Sequence, residues 1–294
     1  MKNNKSNLGK IVEFGIFVLP VIIFVTITIY IPFLLSSYYS LTEWNGVSRA
    51  SHFIGFKNFS NILNDSDFKA ASIFTLKYCI LFVVLTNGIA IILAVILNKK
   101  LKGVKVLRAV FIIPYIFSLV VVGFIWKFIF SQGFAVLAKI TGLGFFNWSW
   151  LGEPKLGFIS ILLVTIWQSI GFYIIIYIAG LQTVPDEMLE AATIDGAGTF
   201  QKFKKVTMPF LAPSITTCVF YALINSIKVF DVIISLTAGG PGGTTYSVTY
   251  DIYREAFQNN NYGYGTAKAM FLFVAVLIIT AVQLKYFKGK EIEA

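Results

Sequence analysis

Apolar residues along this chain run in long unbroken stretches, without the two- or 3.6-residue alternation of a half-buried strand or a surface helix. Six stretches, 13–36, 73–97, 106–130, 157–181, 212–236 and 267–287, each hold about the 20 residues that a helix needs to cross a hydrocarbon core about 30 Å thick. In lipid the backbone must satisfy its own polar groups, so each stretch predicts a helix. Pro20 and Pro32 lie in the first and Pro114 in the third. Neighbouring helices can satisfy the groups that proline frees, so these residues are compatible with spans. Lys2, Lys5 and Lys10 precede the first stretch as in a signal peptide. That run is too long for a signal core and ends in no small-residue cleavage site, so it reads as an uncleaved span.

Composition agrees with the pattern. The chain has 294 residues, 57% apolar and 13% charged, with a mean hydropathy of +0.78. Soluble domains average roughly 45–50% apolar and about 25% charged. A water-soluble globule, a disordered chain and a nucleic-acid-binding chain are excluded, and an all-α polytopic membrane protein with six transmembrane helices remains. The net charge of +10 gains meaning from its placement. With the N-terminus inside, the inner loops hold 14 cations: Lys2, Lys5, Lys10, Lys99, Lys100, Lys102, Lys105, Arg108, Lys202, Lys204, Lys205, Lys285, Lys288 and Lys290. The outer loops hold 6, Arg49, Lys57, Lys69, Lys139, Lys155 and Arg254. The excess of cations inside predicts that both termini are cytoplasmic.

Catalytic chemistry finds no foothold. His52 is the only histidine, Cys79 and Cys218 sit in apolar stretches, and no Gly-Lys-[Ser/Thr] phosphate loop occurs. Gly239–Gly243 lacks the lysine and follows a span, so it predicts a turn. The expectation is a chain with no enzyme activity, no metal site and no cofactor of its own.

The inner loop 182–211 differs from everything around it. Pro185, Asp186, Glu187 and Glu190 suit the start of a helix, and Gly196 and Gly198 its end. A second short basic helix should follow and stop before Pro209. Such short helices are unstable alone in water, and Leu189, Ala192 and Ile194 do not share one hidden face, so a partner surface is expected. Small Ala191 and Ala192 would let the first helix sit deep in a groove. The residues alone leave open a helix that merely lies on the headgroups.

Glu190-Ala191-Ala192, Asp195-Gly196-Ala197, Phe203, Pro209 and Pro213 together resemble the EAA signature, the coupling loop of binding-protein-dependent ABC importer permeases. Met208 stands where that family usually has leucine before the proline. The resemblance covers roughly residues 70–287. Phe230-Asp231, Leu236-Thr237 and Gly239-Gly240-Pro241 resemble the carbohydrate branch, in the first permease subunit of maltose and glycerol-phosphate importers, and Arg108, Ile113-Pro114-Tyr115 and Trp126 also match. It implies a type I (MetI-like) permease fold. The domains would be 1–71 (N-terminus, first span, external loop), 72–287 (permease core) and 288–294 (cytoplasmic tail). It implies a subunit of a bacterial cell-membrane sugar importer, coupled through Glu190, Ala191, Ala192, Asp195, Gly196 and Ala197. Implied partners are a second homologous permease, two ATP-binding subunits that carry ATP and Mg, an external solute-binding protein or lipoprotein, a sugar and the bilayer, with no nucleic acid. Another small polar solute such as glycerol phosphate, or a secondary transporter, are the alternatives. The second would usually show two similar halves and leaves the EAA segment unexplained.

Polar residues inside spans suggest a solute path. Tyr221, Asn225, Lys228, Asp231 and Ser235 are spaced 4, 3, 3 and 4 apart, so all fall on one helical face. Two charges at that depth should face protein or water. Lys228 and Asp231, three apart, could line a path or neutralise each other as a structural pair, and both readings are open. In the fourth stretch Ser169, Tyr173 and Tyr177 recur every four residues beside Gln168. Aromatic faces and hydroxyl or amide donors suit a sugar, and the resemblance implies sugar contacts on these two spans, although tyrosine is also common at membrane interfaces.

Overall fold

A computed structural model describes residues 3–99 and 102–288. Lys2, Lys100, Lys290 and the tail beyond Lys288 lie outside the described residues. Helices dominate: α1 (Asn3–Val25), α2 (Ile31–Tyr39), α3 (Lys57–Ile62), α4 (Ser66–Leu97), α5 (Val104–Ile116), α6 (Leu119–Phe128), α7 (Phe134–Thr141) and α8 (Pro154–Leu181). There follow α9 (Asp186–Ile194), α10 (Thr199–Lys202), α11 (Met208–Phe210), α12 (Ala212–Ile227), α13 (Val248–Tyr253) and α14 (Tyr262–Lys288). One two-stranded antiparallel ribbon pairs β1 (Thr42–Glu43) with β2 (His52–Phe53), Glu43 opposite His52. Among the described residues five helical runs are long and apolar enough to cross a membrane, and six if a bent pair, Thr199–Phe210 with Ala212–Ile227 at 71°, counts as one.

Contacts divide the chain into two units, Met1–Asn64 with Ile252–Phe273, and Asp65–Asp251 with Val274–Ala294. A sequence boundary at 71/72 thus falls inside α4. In the first unit, residues 252–273 join the N-terminal part through backbone and rings. The Gly263 N–H donates to the Trp44 carbonyl at 2.8 Å, and Tyr262 packs edge-on against Trp44 and Tyr39. A Cβ at Gly263 would collide with the Thr42 carbonyl, so glycine permits this approach. Asn58 ties the ribbon to α2 by donating to the carbonyls of Ser40 and Thr42. No residue in the most apolar window of the first span is buried.

The second unit is built on α4 and α8, with α5 and α12 packed against them. Asp65 caps α4 by accepting from the Phe68 N–H at 2.9 Å, and Pro154 occupies the first turn of α8. Arg108 donates to the Leu97 carbonyl at 2.7 Å, a cation on the negative end of α4. The core is unusually rich in tyrosine: Tyr78, Tyr173 and Tyr177 are fully buried with Ile161, Ile174, Leu211, Ile233 and Leu236.

Two predicted continuous spans are broken. The third divides after Pro114: α5 ends at Ile116, Phe117 and Ser118 are extended, and α6 begins at Leu119. The fifth ends at Ile227, and helical geometry returns only at Asp231, leading into a π-helical turn, Ile233–Thr237. Both breaks free backbone carbonyls in an apolar setting, and side chains from other elements take them up. Gln168 of α8 donates to the Phe117 carbonyl at 3.1 Å and the Tyr115 carbonyl at 3.5 Å. Ser247 donates to the Val229 carbonyl at 2.6 Å.

Candidate functional site: a cavity at the helix breaks and an exposed loop

The two breaks face one cavity of about 170 Å³ between α4, α5, α8 and α12. Gln168, Ser169, Tyr173, Tyr221, Asn225, Lys228 and Asp231, all expected on a solute path, line it. Tyr78, Phe82, Tyr115, Thr165 and Ser226 also line it, and the pattern of polar residues along the spans had not singled them out. Thr165 could have been found, since it extends the Ser169–Tyr173 stripe by one turn. Tyr115 carried a signal too, a hydroxyl beside the proline that ends a helix.

An aromatic cluster forms one wall. The hydroxyls of Tyr115 and Tyr221 lie 3.0 Å apart in a hydrogen bond, and Phe172 packs on both rings, with centroids 5.2 and 4.5 Å away. Asn225 donates its amide N–H to the Tyr221 carbonyl at 2.8 Å, which leaves its amide oxygen for the cavity. Ser169 donates to the Thr165 carbonyl at 2.7 Å and keeps its lone pairs as acceptors. Ring faces, hydroxyls and an amide oxygen give this wall groups capable of stacking and hydrogen bonding, beside the charged Lys228 and Asp231.

Three placements differ from the sequence pattern. Tyr177 does not reach the cavity: it is fully buried and donates to Asn87 Oδ1 at 2.6 Å, a contact that ties α8 to α4. Its four-residue spacing from Tyr173 puts it on the same stripe, but the next turn of that stripe is covered by α4. The single polar face on the fifth span is interrupted, because Lys228 lies at the end of α12 and Asp231 beyond the break. Ser235 leaves that face altogether. Its hydroxyl donates to the Asp231 carbonyl at 2.6 Å and packs against α6, where a Cβ on Gly123 would overlap it. Lys228 and Asp231 are both exposed toward the cavity, and among the described residues no ion pair within 4.0 Å joins them.

The second candidate surface is the loop after α8. Pro185 is the N-cap residue of α9 and Asp186 and Glu187 fill its first turn, as the helix dipole favours. Glu190, Ala191 and Ala192 lie within α9, and Asp195 is its C-cap. Gly196 takes a φ of +77°, a left-handed conformation, and the Ala197 N–H turns back to the Ala192 carbonyl at 2.9 Å. The Lys202 ammonium donates to the Thr193 hydroxyl at 3.1 Å and pins α9 to α10. The helical run from Thr199 does not stop before Pro209 but continues to Phe210, through a π-helical turn, Phe203–Thr207, that immediately precedes Met208 and Pro209. No residue of α9 is buried; Ile194 is 86% and Phe200 74% exposed. Among the described residues no cluster of metal-ligating side chains occurs.

Known proteins share this architecture. The family described as binding-protein-dependent transport system inner membrane component matches residues 86–286. A probable starch degradation products transport permease of Thermoanaerobacterium thermosulfurigenes is 36% identical over 280 residues, 95% of each chain. A multiple sugar-binding transport permease of Streptococcus mutans is 36% identical, covering 90% of this chain and 91% of its own. In fold, the chain is similar to a subunit of a bacterial ABC transporter that imports the acidic polysaccharide alginate, with a TM-score of 0.82 at 23% identity over 97% and 98% of the two chains.

Proposed function

The chain belongs to the family of inner membrane components of binding-protein-dependent transport systems, and on that premise we propose that it forms the solute path of a sugar importer. Two relatives, each 36% identical, carry the names of starch-product and multiple-sugar permeases, and the cavity wall of tyrosines, amide and hydroxyls has the chemistry that such solutes need. The chain would work beside a second permease, two ATP-hydrolysing subunits and an external binding protein, with both termini in the cytoplasm. ATP and Mg would be bound by the ATPases.

The observation that carries this reading is α9. A nine-residue helix with no buried residue, pinned by Lys202 and flanked by exposed Ile194 and Phe200, is shaped to be covered by another protein. Glu190 opens onto the groove of about 410 Å³ between α9, α10 and the inner ends of α4 and α8. In the assembled transporter, a carboxylate there meets a basic group of the ATPase, and α9 transmits closure of the ATPases to the broken helices around the cavity.

The test is a transport assay in a strain deleted for this chain, across a panel of neutral sugars, glycerol phosphate and amino acids. A neutral sugar should restore its uptake only with the intact chain. Glu190→Lys should reduce uptake about tenfold or more and release the ATPase from the membrane complex, since charge-assisted bonds at covered interfaces are worth at least that factor. Ala192→Trp should do the same by bulk. Uptake at parent levels by both variants, with the ATPase firmly bound, would overturn the coupling role of α9.

A further inference from the structure

A second, larger groove lies at the other end of the same two helices. It has a volume of about 510 Å³ and is walled by Ile73, Phe74, Ile80 and Leu81 of α4 and by Phe158 of α8. Two cations, Lys77 and Lys155, stand at it, no acidic residue lines it, and neither lysine makes an ion pair among the described residues. Ile73 and Ile80 are exposed.

Depth along the helix decides what such a groove can hold. Leu97, the last residue of α4, lies next to the α9 groove, and Lys77 is twenty positions earlier. At 1.5 Å per residue that is about 30 Å, one hydrocarbon thickness. Lys77 therefore sits at the headgroup level of the leaflet opposite α9, and Lys155, in the first turn of α8, lies at that level or beyond it. Below the ammonium groups, Ile80 and Leu81 continue down α4 at acyl-chain depth. Lone lysines at an interface can reach water by snorkelling. Two of them converging on one apolar groove, with no carboxylate to neutralise them, form a headgroup clamp above a chain-binding channel.

We infer that this groove is a binding site for an acidic phospholipid, its phosphate held between Lys77 and Lys155 and an acyl chain laid along Ile80 and Leu81. The leaflet is the outer one if the proposed orientation holds, but the site does not depend on it. The site also does not depend on which solute is carried. Zwitterionic lipids would bind less well, because their own ammonium group competes for the phosphate. Each lysine near an anionic headgroup contributes a several-fold gain, so two together give a preference of about tenfold or more.

The test uses the intact transporter, purified with its co-purifying subunits and equilibrated with equal amounts of phosphatidylglycerol and phosphatidylcholine. Native mass spectrometry counts the lipids retained. The parent should retain phosphatidylglycerol about tenfold over phosphatidylcholine, and the Lys77→Gln/Lys155→Gln pair should lose that preference. Lys77→Arg/Lys155→Arg should keep it, as should Lys127→Gln, a change at another exposed lysine that does not line the groove. Equal retention of both lipids by the parent, or an unchanged preference in the glutamine pair, would overturn the inference. So would a photo-reactive residue at Ile80 that captures another subunit and no lipid.

Discussion

Replacing Gly171 by alanine probes a close helix crossing in the second unit. A Cβ built there lies 2.7 Å from the carbonyl carbon of Phe111 and 2.8 Å from the Cα of Ile112, and closer still to the Phe111 oxygen. Carbon atoms in good contact stand about 3.5–4.0 Å apart, so α5 and α8 must separate by roughly 1 Å. The obstruction is backbone, which cannot swing aside as a side chain would. A gap of 0.5–1 Å forfeits about a quarter to a half of each contact along the crossing, and overpacking of this kind costs about 1–3 kcal/mol. Gly88 on α4 is the control, because nothing lies within 4 Å of its Cβ position. There the same change brings only the helix-propensity gain, at most about 1 kcal/mol. Equilibrium denaturation in mixed micelles should rank Gly88→Ala at or above the parent and Gly171→Ala below it, by about 2 kcal/mol between the variants. Uptake should fall in Gly171→Ala alone, since the displaced α5 carries Tyr115 and the break beside the cavity. If the two variants gain stability equally, the close crossing does not exist.

Tyr177→Phe should lower stability by about 1 kcal/mol, the usual value of one hydrogen bond, yet leave the sugar concentration for half-maximal uptake unchanged. A raised half-saturation concentration would return Tyr177 to the solute path. At the cavity, Lys228→Met and Asp231→Leu should each weaken uptake, and the double variant should transport no better than either single one, because no ion pair within 4.0 Å joins them among the described residues. A double variant that transports better than either single one would show that they neutralise each other.

Much of this protein was legible in the chain itself. The apolar stretches, the uneven placement of Lys and Arg between alternate loops and the spaced motif around Glu190 are properties of local sequence. The α9 helix is legible because its proline, its acids and Gly196 each act within a turn or two of their own position, although Pro185 is its N-cap and not its first residue. What the tertiary structure decided is where spans are interrupted. Pro114 announced a weak point, but an isolated broken helix would leave carbonyls bare in lipid, and only Gln168 of α8, 51 positions away from Phe117, makes the break tolerable. Nothing local marks the break after Ile227, which is stabilised by Ser247 from the loop beyond the span. The same holds for the cavity. Tyr173 and Tyr177 look alike along the sequence, four apart on one helix face. Both are buried, but one lines the cavity and the other donates to Asn87, because each turn meets a different neighbour and the chain does not encode that neighbour nearby.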